Sequence, residues 1–240
     1  MKKCGFTLAE VLITLGIIGV IAALTAPSLV KNSGQAKIGP ALAKFVNTFE
    51  TGCDEMMTEE GISRLSEIGG LNAILEKLTK YIIMSPNSDT YYTFRGAKNS
   101  ESSYRLTSSY ILKDGSCLVG TDSQFLSSPF EVAYSADGPY KGNIAILFYD
   151  INGPKGKNIA GRETFLFILD DSGLLVPYGS NAHKHLYEKD GKKTFKYTCR
   201  FDYDPKEFSH LVPYAVLDGD YTYGFACTGV IADNNWKANY

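Results

Sequence analysis

Four sets of residues have the types and spacing to do chemistry. Glu10 is the only charged residue between Phe6 and Val30. A carboxylate at the start of an apolar run is costly in lipid and calls for a partner or a function. Five cysteines are present, Cys4, Cys53, Cys117, Cys199 and Cys227. Asp150, Asn152 and Asn158 lie in the glycine-rich stretch DINGPKGKNIAGRETF, residues 150–165, and supply the oxygen ligands that calcium prefers. The stretch is not an EF-hand loop, because its sixth position is Lys155 rather than glycine, and a plain surface loop explains the same composition. His183 and His185 flank Lys184, and His210 stands apart, so no third ligand joins them in sequence. There is no G-x-S-x-G, H-E-x-x-H, phosphate-binding glycine loop or C-x-x-C. Asp170-Asp171 and Asp218/Asp220 read as turns rather than as catalytic carboxylate pairs.

The element that must position Glu10 is the first apolar segment. As a helix, residues 6–30 would measure about 37 Å, enough to cross a hydrocarbon core of roughly 30 Å. Lys2 and Lys3 precede it, and Lys31 and Lys37 follow it. Basic residues at the extreme start favour a cytoplasmic N-terminus. A secretory signal peptide would show a shorter apolar run, of 7–15 residues. Here the uncharged run extends from Val11 to Val30. Leu24-Thr25-Ala26 imitates a cleavage site, but a signal peptide has no use for Glu10.

The segment GFTLAEVLITLGIIGVIAALTAP, residues 5–27, resembles the N-terminal signature of type IV prepilins and type II secretion pseudopilins. The resemblance implies a leader of residues 1–5, cleavage by a prepilin peptidase between Gly5 and Phe6, and N-methylation of Phe6. It makes Glu10 the glutamate at the fifth mature position and matches Pro27 to a proline common in pilin helices. Cys4 departs from the Lys or Arg that many members carry before the glycine. After cleavage the amine of Phe6, with a reference pKa near 8, is mostly protonated at neutral pH. Glu10 follows on the same helix face. Staggered neighbours could therefore pair the Glu10 of one subunit with the amine of another. Gly19 with Ala23 and Ala22 with Ala26 give the small-xxx-small spacing that lets helices approach closely. Pro27 removes an amide hydrogen, so a bend is expected there.

Behind residue 30 lie roughly 210 residues, enough for one globular core. The formal charge is −2, and the chain becomes two units more acidic without Lys2 and Lys3. This balance argues against a nucleic-acid-coating surface, with a local basic patch at Lys189, Lys192, Lys193 and Lys196. Sixteen tyrosines and thirteen phenylalanines suggest a strand-rich body. After a weak break at Lys31–Gly34, the residues Ile38, Leu42, Phe45, Phe49 and Cys53 recur at helical spacing, with Pro40 in the first turn of the run. Residues 31–60 are read as an amphipathic continuation of the membrane helix, and 61–240 as a globular α+β domain. A short helix is expected over Leu71–Leu78 and a turn over Ser85–Thr90. Strands are expected over Tyr91–Arg95 and 104–112, the latter followed by the turn Lys113–Ser116. Ile144–Asp150, Thr164–Asp170 and Leu174–Val176 form an expected meander, and 197–201, Tyr214–Leu217 and Tyr223–Ile231 further strands. The predicted fold is a long N-terminal helix packed on an antiparallel sheet, as the resemblance also implies.

Once Cys4 is set aside with the leader, Cys53, Cys117, Cys199 and Cys227 remain on an exported domain, where an even number suggests disulfides. Cys199 with Cys227 is favoured because both lie on short strands late in the chain, which leaves Cys53 to pair with Cys117. The DxNG stretch resembles a loop in pseudopilin-like proteins with this N-terminus, and no cofactor beyond possible calcium is expected. The expected function is a structural, non-enzymatic subunit of a type IV pilus or type II secretion pseudopilus. It would be a single-pass inner-membrane protein with an exported domain, later part of a filament. The expected partners are prepilin peptidase, other pilin or pseudopilin subunits and the inner-membrane assembly platform, with no small-molecule substrate. The alternative is a minor pilin acting as a membrane-anchored binding module for DNA, a surface or cargo, the one case in which nucleic acid is a partner.

Overall fold

A computed structural model describes residues 7–88, 91–95, 101–105, 108–122, 143–154, 156, 158–180, 188–189, 192–193, 199, 224 and 227–238. The chain divides into two compact units, Met1–Lys37 and Ile38–Tyr240. Helix α1 runs Leu8–Glu60 and contributes to both. The break expected at Lys31–Gly34 is absent, and the helix runs through Pro27 and Pro40. Pro40 sits within the helix rather than in a first turn and is exposed, so its missing amide costs one bond at a solvated position.

In the first unit, Leu8–Thr25 is apolar and exposed throughout. Gly16 and Gly19 have no neighbour within 4 Å of where a side chain would begin. Among the described residues this is the one helix long and apolar enough to cross a membrane.

In the second unit, α1 buries Ile38, Leu42, Phe45, Val46, Phe49, Cys53 and Met56, the face that the helical spacing marks. Their partner is a six-stranded antiparallel sheet. In chain order its strands are β1 (Met84–Pro86), β4 (Ser108–Leu112), β5 (Cys117–Asp122), β6 (Asn143–Asp150), β7 (Thr164–Asp170) and β8 (Leu175–Pro177), and this is also their spatial order. β6 and β7 pair Leu147 with Phe167 and Tyr149 with Phe165, and all four join the core. Phe45 stacks on Tyr149, with ring centroids 4.0 Å apart, and tilts against Phe167 at 5.5 Å. Ile146, Phe148, Leu166 and Ile168 point to the opposite face and are buried too. Two buried faces explain why these strands read as nearly continuous apolar runs.

Helix α2 (Leu71–Leu78) buries Leu71, Ile74, Leu75 and Leu78. It reaches the sheet because position 120 is glycine: a Cβ there would lie 2.4 Å from Leu71 Cδ2. A separate ribbon pairs β2 (Tyr91–Arg95) with β3 (Glu101–Arg105), and β9 (Glu188–Lys189) pairs with β10 (Lys192–Lys193).

Several expectations are corrected. Residues 104–112 do not form one strand: β3 ends at Arg105 in the ribbon, and β4 begins at Ser108 in the main sheet. Met84–Pro86, expected partly as a turn, is an edge strand, where the missing amide of Pro86 is tolerated. Part of Tyr223–Ile231 is helical, in α3 (Cys227–Asp233). Its buried Cys227, Thr228 and Ile231 fit one helix face, a period too short in sequence to separate from a strand. Of residues 197–201 only Cys199 is described, and it lies outside any strand. Tyr214–Leu217, His183, His185, His210 and Lys196 lie outside the described residues.

Candidate functional site

The helix N-terminus is built by local chemistry. Thr7 is the N-cap of α1: its carbonyl accepts the amide of Val11 at 3.2 Å, the first bond of the helix. The Thr7 amide donates to Glu10 Oε2 at 2.8 Å, and the Thr7 hydroxyl donates to the same oxygen at 2.8 Å. The Glu10 amide returns a bond to Thr7 Oγ1 at 3.3 Å. Thr7-Leu8-Ala9-Glu10 is thus a reciprocal capping box. Sequence reasoning singled out Glu10 and missed Thr7, although T-x-x-E ahead of an apolar run is a readable signal. Both bonds from Thr7 to the carboxylate converge on Oε2. Gly5 and Phe6, the residues of the expected cleavage and methylation, lie outside the described residues.

The cysteines divide. Cys199 and Cys227 are disulfide-bonded, with Cα atoms 4.5 Å apart. The expected Cys53–Cys117 bond is not formed, and both remain buried thiols. They belong to different parts of the core. Cys53 lies under the β7–β8 turn, where a Cβ on Gly173 would come within 2.8 Å of its own Cβ. Cys117 begins β5, with its sulfur 3.7 Å from the Ser109 hydroxyl. Burial, reinforced by the carboxylates of Glu50 and Asp170, pushes the Cys53 thiol up to about 12, so it stays protonated and unreactive.

The 150–164 loop holds its residues for local reasons. Asp150 is fully buried, and its Oδ1 accepts the Asn152 amide at 2.9 Å. Gly153, with φ 75°, sits against the Gly115 carbonyl, where a Cβ would come within 2.3 Å. Asn152 is exposed and Asn158 buried, and they flank Gly156. Among the described residues no three His, Cys, Asp or Glu side chains cluster as metal ligands.

A groove of about 610 Å³ opens between α1, the segment after α2 and the β4–β5 turn. Phe45, Tyr81, Ile82, Ile83, Leu112 and Tyr149 line it, with Lys44, Lys113 and Asp114 at its edge. Lys44 bridges to Asp114 at 3.2 Å, which cancels one of its two positive charges.

An apolar N-terminal helix followed by a helix-backed antiparallel sheet is a pilin-like α+β architecture. Residues 1–26 match the family model of the prokaryotic N-terminal methylation motif, the type IV prepilin signature. The chain therefore carries the mark of a processed, pilin- or pseudopilin-like subunit. No curated protein and no solved structure matches the chain.

Proposed function

We propose that the protein is a structural subunit of a type IV pilus or type II secretion pseudopilus, not an enzyme. Prepilin peptidase would cut between Gly5 and Phe6, and the subunit would polymerise from the inner membrane through its N-terminal helix. The observation that carries this reading is Leu8–Thr25: apolar, exposed along its whole length, with Glu10 in its first turn. An apolar helix surface of that length needs lipid or neighbouring helices to cover it. In lipid, an unpaired Glu10 is costly; between packed subunits, it accepts the protonated Phe6 amine of a neighbour.

The groove beside Lys44 gives no preference to the binding-module alternative. Its one ion pair leaves little positive charge for a nucleic acid. We read the 150–164 loop as a structural turn rather than a calcium site, because Asp150 is fully buried and caps the Asn152 amide, Asn152 itself is exposed, and Gly153 is packed on backbone.

The test is Glu10→Leu at matched expression. It is expected to insert in the membrane with a folded exported domain and to be lost from sheared filaments. Filament entry equal to wild type, when expressed alone, would disprove the role of Glu10.

A further inference from the structure

We propose that the groove beside Ile83 receives Leu174 of a second copy of this chain. This rests on the reading of the protein as a filament subunit and names a contact between the second units of neighbours. Among the described residues of the second unit, Ile83 and Leu174 are the large apolar side chains left exposed. Single exposed apolar residues are ordinary, but these two have opposite surroundings. Ile83 and Leu112 line the groove, with Lys44, Lys113 and Asp114 at its edge. Asp114 cancels Lys44, whereas Lys113 is exposed and joins no ion pair among the described residues. Leu174 lies in the β7–β8 turn behind Asp170 and Asp171. The Asp170 carboxylate accepts the Leu174 amide at 2.9 Å and Asp171 accepts the Ser66 amide and hydroxyl, so both are fixed beside the leucine. Neither is paired with a cation among the described residues. The groove is an apolar hollow with a basic rim, and the turn is an apolar knob with an acidic rim.

Placement on the sheet sets the symmetry of the contact. Ile83 immediately precedes β1 and Leu174 immediately precedes β8, the two edge strands, which lie about 24 Å apart at the usual strand spacing. The two sites also sit at opposite strand ends. The groove is at the end where Ile111 meets Cys117 beside Asp150, and the turn is at the end where Leu175 meets Leu169 beside Ala145. From Ala145 to Asp150 is about 17 Å along β6. Diagonal corners of one sheet cannot meet within one copy. A knob on one corner and a hollow on the other give a head-to-tail contact, and the offset along the strands makes it advance rather than close.

The experiment expresses the full-length chain carrying both Ile83→Cys and Leu174→Cys in cells with the assembly machinery. Both positions are exposed, and cysteine keeps a small apolar side chain there. Sheared filaments are treated with a short bismaleimide and run on a denaturing gel. The double variant is expected to give a ladder of covalent multimers beyond the dimer. Each single variant is expected to stay monomeric, and so is wild type, whose thiols Cys53 and Cys117 are buried. Leu174→Ala is expected to enter filaments roughly tenfold less than wild type, from the apolar surface lost. Lys113→Glu is expected to enter about threefold less, with Lys113→Arg close to wild type. Filaments of the double variant without a ladder would overturn the proposal. So would a dimer from either single variant, which marks a symmetric contact, or normal entry of both Leu174→Ala and Lys113→Glu. Absence of the wild-type chain from sheared filaments would instead remove the filament reading itself, and this contact with it.

Discussion

At the residue scale, the second unit places a carboxylate where stability depends on pH. Glu50 on α1 accepts the Leu175 amide at 2.9 Å, tying the helix to β8. Burial raises its carboxyl above the ordinary value, and the Asp170 carboxylate pushes the same way, against the Leu175 bond. The folded chain therefore keeps the Glu50 proton to higher pH than the unfolded chain does. Its contribution to stability is fully present below the unfolded value and is lost as pH rises through the folded one. Glu50→Gln keeps an acceptor for Leu175 and removes the ionisable group. The variant should be at least as stable as wild type at pH 8 and lose that advantage toward pH 4. Thermal unfolding of both proteins in detergent across that range checks this, and a variant less stable at pH 8 would contradict it. Glu50 did not stand out in the sequence, because its burial depends on a hairpin more than a hundred residues away.

At the element scale, the C-terminal helix is held by close backbone contacts and one covalent bond. The Gly229 amide donates to the Tyr178 carbonyl at 2.8 Å, and the Leu166 amide donates to the Thr228 hydroxyl at 3.0 Å. Beyond α3, the Trp236 carbonyl rests on Gly39 of α1, where a Cβ would lie 1.6 Å from its oxygen. Alanine is intrinsically the better helix former by about 1 kcal/mol, but no contact of that length is tolerable, so overpacking decides. Gly39→Ala should destabilise the protein by about 1–3 kcal/mol. Trp236 is the only tryptophan, so the displacement should appear as a red shift of its emission. A stabilised variant with unchanged emission would show that the tail does not rest there. The Cys199–Cys227 bond closes a loop with sequence separation 28. Replacing both cysteines by serine should cost about 3.6 kcal/mol on the polymer estimate. Faster hydrogen exchange at the Gly229 amide would follow; unchanged exchange would mean that α3 is held without the bond.

At the scale of the whole molecule, processing and folding should be separable, because the cleavage signature and the sheet lie in different units. Gly5→Val is expected to block maturation, leaving Met1 as the N-terminus, while near-ultraviolet dichroism of the exported domain stays unchanged. Wild type should begin at Phe6 with one added methyl; a start beyond Ala26 would contradict the processing reading. What the sequence determined by itself is local. The apolar run, Glu10 and the T-x-x-E box depend on contiguous residues, and so do the helical face of Ile38–Cys53 and the strands of the β6–β8 meander. Their periodicity or residue type is legible without a partner. What only the tertiary structure decided depends on which distant backbones meet. Cys53 and Cys117 are both buried, yet one lies under the β7–β8 turn and the other begins β5, so elimination among cysteines could not pair them. Cys227 lies on a helix because Gly224 and Gly229 fit against the backbones of Ala160 and Gly179–Ser180, and no short apolar window records that fit. Gly120, Gly153 and Gly173 look like ordinary turn or strand glycines until Leu71, Gly115 and Cys53 occupy the space a side chain would need.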